Sequence, residues 1–426
     1  MSTADTPRPA AGPAAGDRDR LLSRRGAAVP PKPLLTRGDR EPGRITFTFG
    51  FPDPASLPAG QVAESTVRVL ATDGESALQY GANAGHEGLI DELLRKFARD
   101  QGFVAGRDNV LVTAGGSQAL HLLLDAFIDW GDTVVSEMPI WLGAVGAFRN
   151  AGVNVVGVPV DDEGTDVVAL ERELNRLRDE GVTPKFIYVV SNFQNPTGVS
   201  TTVPRRRRMV ELAREHGTLI IEDDAYFDLR YDGNHLPSIY AVDAADGGSS
   251  VIYLGTLSKT MGPGLRIGWL VGPPDLVHMI TSLKIDGGTN IFGSHVAADW
   301  LPRHLEDHVR GLRATYRDRR DAMLAALERH MPAGSTWTRP DGGFFVWLTL
   351  PEGIDTVAML PQVQERGVDY LPGPRCYAGD GGRNQIRLAF SFADEAQIER
   401  GIRIIGEVAS GELREQAAPA PLGSGR

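Results

Sequence analysis

The stretch YLGTLSKTMGPGLRIGWLVG, Tyr253–Gly272, sets two apolar segments on either side of a turn of serine, threonine and glycine. One lysine, Lys259, sits in the turn, and one arginine, Arg266, follows it; no other charge enters. Short apolar runs bounded by glycine and proline read as strands buried on both faces. A lysine beside such strands is commonly a surface residue whose stem covers apolar area. Kept from water and from other charge, it can instead have a depressed pKa and form a Schiff base. The neighbouring sequence decides between these readings.

Working outward, strand and helix alternate. NVLVTAGG (109–116) is a strand ending in glycines, and SQALHLLLDAFIDW (117–130) is the helix after it. Further apolar runs lie at 133–139, 153–160, 186–193, 218–226, 250–256 and 266–272. Helical segments separate most of them, among them PRRRRMVELAREHG (204–217), which Pro204 is well placed to open. This pattern predicts an α/β fold with a mostly parallel sheet between two layers of helices. Beyond residue 295 the texture changes. A long helix is expected over 309–331, strands over 342–350 and 384–392, and a last helix over 394–413, as in a smaller α+β domain. The expected division is a large domain over 61–295 and a small one from 41–60 with 296–413. A Pro/Ala/Gly/Arg-rich arm (1–40) and the tail (414–426) are expected to be disordered.

The formal net charge of −11 argues against a nucleic-acid partner, and the single cysteine, Cys376, against a disulfide framework. No apolar run is long enough to span a bilayer, and the N-terminus lacks the apolar core of a secretory signal. These features point to a soluble cytoplasmic protein with small-molecule partners.

Four turns carry polar groups at strand ends, where an open parallel sheet binds its ligands. AGGSQAL (114–120) brings free backbone N–H groups to a helix start, a place for a phosphate as well as a plain turn. SNFQNPTG (191–198) is a turn by composition. IEDDAYF (221–227) ends an apolar strand in acids, which need a partner: a helix cap, a surface pair, or a positively charged ring nitrogen. The fourth is the Lys259 turn.

Taken in this order, NPTG, DDAY and SK followed by PGLRIG resemble the class I/II aminotransferase family of fold-type I pyridoxal-phosphate enzymes, over about residues 45–410. The subgroup of aromatic, kynurenine and 2-aminoadipate aminotransferases looks nearest. The resemblance implies a large domain with a seven-stranded, mostly parallel sheet, and pyridoxal 5'-phosphate as cofactor. Lys259 matches the lysine that holds the cofactor as an internal aldimine and then moves the Cα proton. Asp223, three residues before Tyr226, matches the acid that keeps the pyridine nitrogen protonated. Tyr226 and Asn195 match the partners of the phenolic oxygen. Gly116, Ser117, Gln118, Thr256, Ser258 and Arg266 match the phosphate site. Tyr80 matches the tyrosine that reaches the phosphate from a neighbouring subunit, which implies a homodimer with shared sites. Arg387, with Asn195, matches the clamp for the substrate α-carboxylate. Trp141 stands where tyrosine is commoner; it still offers a ring to stack on the pyridine, and it opens the question of substrate preference.

The implied reaction moves the amino group of an L-amino acid to a 2-oxo acid, leaving pyridoxamine phosphate midway. The alternatives are β-elimination or oxidative or decarboxylating deamination on the same scaffold, for which DGGTNIFGS (286–294) and Trp141 leave room. A regulator with a winged helix is a third reading, set against an N-terminal arm of only about 40 residues. Arg205–Arg208 reads as a solvated helix start, and Cys376 as inert. His86, His121 and His295 have no ligand spacing, so no metal is assigned.

Overall fold

The computed structural model describes residues 19–29 and 43–417. Strand β1 (Ile45–Thr46) lies apart from the large sheet. That sheet is built of β2 (Val110–Thr113), β3 (Thr133–Met138), β4 (Asn154–Asp161), β5 (Gly164–Thr165), β6 (Phe186–Val190), β7 (Leu219–Asp223), β8 (Val251–Thr256) and β9 (Gly268–Val271). Its order is β2-β9-β8-β7-β6-β3-β4-β5. Strands β8, β7, β6, β3 and β4 run parallel, whereas β9 is antiparallel to both neighbours. Every residue of β2, β6 and β9 is buried, as strands covered on both faces require. Seven of these strands are the ones expected. The eighth, β5, has two residues and pairs antiparallel with β4 at the edge, too short to show any periodicity.

The remaining strands are β10 (Thr336–Trp337), β11 (Phe345–Thr349), β12 (Val368–Asp369), β13 (Leu371–Pro372) and β14 (Gln385–Ala389). Four of them form an antiparallel sheet in the order β10-β11-β14-β13, while β12 pairs parallel with β1, Ile45 opposite Val368. This pairing ties the segment around residue 45 to the C-terminal third, where Ile45 and Phe47 share one core with Leu388, Ile398 and Ile402.

Four expectations change. The long helix covers Ile291–His330 rather than starting at 309, and it runs through Pro302. A proline inside a helix loses a hydrogen bond; here buried Trp300, Leu301, Leu305 and Val309 hold that part against the core. The arm expected to be disordered contains a short helix, Arg24–Ala28, capped by Ser23, with Arg25 paired to Asp125 at 2.7 Å. The last helix, Glu395–Ala417, also runs past residue 413. Residues 1–18 and 30–40 of the arm, and those from 418 on, lie outside the described residues.

The arginine run is the fourth correction. Four consecutive helical residues cover a full turn, so one of them must face inward. Arg205 pairs with Asp161 and Arg208 with Glu211 and Glu215, but Arg206 is fully buried. Its guanidinium donates to the carbonyls of Thr201, Ser191 and Pro237 and to Asn192 Oδ1, 4.0 Å from Glu222. Among the described residues no helix is long and apolar enough to cross a membrane.

Candidate active site

Strand register gathers the polar turns on one edge of the large sheet. Gly268, which opens β9, lies between Thr113 at the end of β2 and Thr256 at the end of β8. Asp223 closes β7 between Val190 of β6 and Leu254 of β8. A cleft of about 1000 Å³ opens along this edge, bounded on its far side by residues around β11, β13 and β14.

At one end, Gly116 and Ser117 line the cleft at the start of the helix Gly116–Phe127, whose first backbone N–H groups have no partner within the helix. Gly115 before it has φ of +76°, and a Cβ there would lie 2.6 Å from Arg266 Nη2. A Cβ on Gly268 would meet the Gly115 backbone at 2.6 Å. Both positions therefore need glycine for the turn and Arg266 to come together. Arg266 donates to the Ala114 carbonyl at 2.9 Å, and the Thr256 and Ser258 hydroxyls lie 2.8 Å apart. Gln118 is turned elsewhere: its side-chain oxygen accepts the Ala114 N–H at 2.6 Å and it does not line the cleft.

In the middle stands Lys259, with Nζ 2.9 Å from the Gly50 carbonyl and 5.7 Å from the ring centres of Tyr226 and Phe344. Burial and the nearby Arg387 and Arg266 lower its pKa to about 8, with Asp223 opposing them. Asp223 also lines the cleft, and burial raises its pKa against hydrogen bonds from Tyr188 and the Ala225 N–H. Its partner Tyr188, whose hydroxyl donates to Asp223 at 2.7 Å, was missed by sequence reasoning. The available signal was a tyrosine in a strand of otherwise wholly apolar residues, since a buried phenol needs a polar partner. The flanking acids face away from the cleft. Glu222 accepts from Ser191 and from the N–H groups of Ile239 and Tyr240, and Asp224 from Asn192.

At the other end Arg387, in β14, reaches the cleft buried, over the Phe345 ring. It donates to Asn195 Oδ1 at 2.8 Å and to the Thr48 carbonyl, but among the described residues its Nε has no partner, nor has Thr48 Oγ1. Trp141 lines the wall just before the helix Leu142–Ala151. Behind it Glu137, fully buried, accepts from Thr165 Oγ1, the Val190 N–H and Gln194 Nε2, tying together the loops that carry Trp141 and Asn195. Burial pushes the Glu137 carboxyl up to about 7.

Tyr80 lies outside the cleft, 84% exposed, against Gly287. His86 and His295 stack on each other, His121 meets the Ser117 carbonyl, and Cys376 is buried with its thiol pushed up to about 11.

These residues fit the expected cofactor. The glycine cradle leaves unpaired N–H groups beside a guanidinium, which suits a phosphate. A carboxylate stands at a strand end for a charged ring nitrogen, and a lysine of lowered pKa lines the same cleft. The unpartnered buried Nε of Arg387 suits a carboxylate.

The profile of a family described as aminotransferase class I and II matches residues 47–405. An aromatic-amino-acid aminotransferase of Thermococcus litoralis is 38% identical, over 87% of this chain and 89% of the relative. A 2-aminoadipate transaminase of Thermus thermophilus is 35% identical, over 89% and 93%. The crystal structure of a kynurenine aminotransferase from Pyrococcus horikoshii superposes with a TM-score of 0.87 at 37% identity, over 93% of this chain and 99% of that one.

Proposed function

The chain belongs to the class I and II aminotransferases, pyridoxal-phosphate enzymes that move an amino group between an amino acid and a 2-oxo acid, and we propose that the residues converging on its cleft carry that reaction. The observation behind this reading is the convergence itself: separate turns bring Gly116, Asn195, Asp223, Lys259, Arg266 and Arg387 to one space. Pyridoxal phosphate, when bound, supplies the electron sink for the pair left when the substrate Cα loses a proton.

The protein's own groups do the rest. Gly116, Ser117, Thr256, Ser258 and Arg266 hold the phosphate, with Gln118 acting only through the backbone it braces. Asp223 keeps its charge beside the ring nitrogen, positioned by Tyr188. Tyr226 and Asn195 hold the phenolic oxygen, and Trp141 covers the ring. Arg387 orients the α-carboxylate, so that Cα lies before Lys259 Nζ, the base that moves its proton. On this reading 61–295 form the cofactor-binding body and 41–60 with 296–413 the smaller one. The enzyme works in the cytoplasm as a homodimer, the exposed Tyr80 serving the partner's phosphate. A Tyr80→Phe variant is expected to release cofactor severalfold more easily in dialysis, with the dimer intact by ultracentrifugation.

The reaction is tested by a single turnover without oxygen. Amino acids are offered without oxo acid, and the cofactor is identified by mass. Pyridoxamine phosphate forming one-for-one with an oxo acid supports transamination; unchanged cofactor with ammonia, carbon dioxide or a cleaved side chain overturns it.

Two further outcomes follow from the geometry. Tyr188→Phe removes a hydrogen bond to a charged group, worth about 1.5–3 kcal/mol. It is expected to weaken cofactor binding roughly tenfold, read by titrating the apoprotein. The lowered pKa of Lys259 sets a second. Only the neutral amine attacks the cofactor aldehyde, and a pKa of about 8 makes about a tenth of it neutral at pH 7, against well under a thousandth at the ordinary value. Stopped-flow loading of the apoprotein should therefore speed up with pH and level off above about 8; a rise continuing toward 10 would contradict the lowered pKa.

A further inference from the structure

We propose that Gln194 is a positioning residue for the cofactor: its amide locks the loop of Asn195 to the loop of Trp141 and so sets how Asn195 meets the phenolic oxygen. This inference rests on the transaminase reading, which places Asn195 and Trp141 on the cofactor. Gln194 precedes Asn195 in the chain and is 1% exposed, yet it does not line the cleft. By composition it is only part of the turn SNFQNPTG.

Its side chain is fully used. A glutamine amide has two N–H donors and an oxygen with two lone pairs. Nε2 donates to the Pro139 carbonyl at 2.7 Å and to Glu137 Oε2 at 3.3 Å. Oε1 accepts the Thr197 N–H at 2.9 Å and the Thr197 hydroxyl at 2.7 Å. One end therefore grips the chain two residues before Trp141, and the other grips it two residues after Asn195. The backbone of Gln194 closes the same turn, its N–H donating to the Val199 carbonyl and its carbonyl accepting the Gly198 N–H. These partners also fix which way the amide faces. Reversed, its oxygen would meet a carbonyl and a carboxylate, and its nitrogen would meet the Thr197 N–H.

Glu137 anchors this clamp to the sheet. It is 1% exposed and also accepts the Val190 N–H at 2.9 Å and the Thr165 hydroxyl at 2.6 Å. Val190 lies opposite Asp223 in the register of β6 and β7, so the clamp is fastened at the strand edge that carries the ring-nitrogen carboxylate. On the cleft side, Asn195 Oδ1 accepts from Arg387 at 2.8 Å, which leaves the Asn195 amide nitrogen to serve the phenolic oxygen. A binding group acts at full strength only when its own supports hold it still. A donor at the phenolic oxygen draws off charge that would otherwise hold a proton beside it. A loosened Asn195 therefore raises the pH at which the bound cofactor titrates.

The test is the visible absorption of the cofactor-loaded protein, titrated against pH without substrate. Gln194→Met keeps the shape and loses every side-chain bond, whereas Gln194→Glu keeps the acceptors for Thr197 and loses both donors. Each is expected to raise the titration midpoint by about one pH unit. Glu137→Gln still offers Gln194 an oxygen and is expected to move the midpoint far less. Melting temperatures of the same proteins, read alongside, separate a loosened site from a weakened fold. Gln194 variants that melt earlier but titrate at the wild-type midpoint would overturn the proposal, since a merely structural residue behaves in that way. If Gln194→Met does not fold, Thr197→Val decides: it gives up the hydroxyl bond alone, and a smaller shift in the same direction supports the proposal while an unmoved midpoint overturns it. A wild type whose loaded cofactor shows no titrating band removes the transaminase reading and the proposal with it. A wild type that titrates, with variants that match it, removes the proposal alone.

Discussion

Lys259→Ala is expected to lower turnover by at least about 10²–10⁴-fold, the share that a positioned acid–base group commonly contributes. The reason lies in the cleft. Among the described residues that line it, Lys259 is the only lysine, and burial together with two arginines lowers its pKa to about 8. The other nearby cations are guanidiniums, which stay protonated and cannot act as bases. Cofactor is expected to remain in the variant, held by Arg266 and the helix start, but without a covalent bond to the protein. Borohydride reduction followed by mass spectrometry reads this directly: wild-type protein gains the mass of the reduced cofactor and the variant does not. Full activity in the variant would remove the central assignment.

Arg387→Ala should cost about 3–4 kcal/mol in kcat/KM, roughly 10²–10³-fold, within the range for truncating one partner of a buried charge pair. Arg387 is buried, braced by Asn195 and the Thr48 carbonyl, with an Nε left without a partner among the described residues. The loss should fall mainly on KM, because the clamp holds the carboxylate before and during the chemistry alike. Arg387→Lys keeps the charge but not the fork, and should recover only part. Saturation curves for the amino-acid half-reaction check both variants. An unchanged KM with a fallen kcat would mean that Arg387 acts on the reacting centre and not on binding.

Much of the fold was legible in the chain because most strands of the large sheet are buried on both faces and therefore apolar, while β4, where only Val158 is buried, is still marked by its valines. The eight-residue β4, the five-residue β6 and the six-residue β8 lie where the runs at 153–160, 186–193 and 250–256 place them. The long helix was expected from 309 and in fact begins at Ile291, running through Pro302, a residue that disfavours a helix interior; packing against the core holds it there. Arg206 was misplaced for a related reason: charge alone says surface, whereas the helical period says one of four adjacent side chains must turn inward, where carbonyl oxygens happen to receive it.

The run Glu222-Asp223-Asp224 separates the two sources of information. By itself the sequence determined that three acids end a buried strand, that adjacent ones point to opposite faces, and that Lys259 and Arg266 stand alone in the next such turn. Resemblance to a family singled out Asp223. Which face opens on the cleft was decided only by the tertiary structure. Ser191, Asn192 and the N–H groups of Ile239 and Tyr240 close over Glu222 and Asp224, while Tyr188 supports Asp223 at the open edge. The alternation of side chains is a local property of a strand, whereas the supply of hydrogen-bond partners on each face depends on segments distant in the chain. For the same reason Tyr188 and Glu137 acquire their places only in the folded molecule.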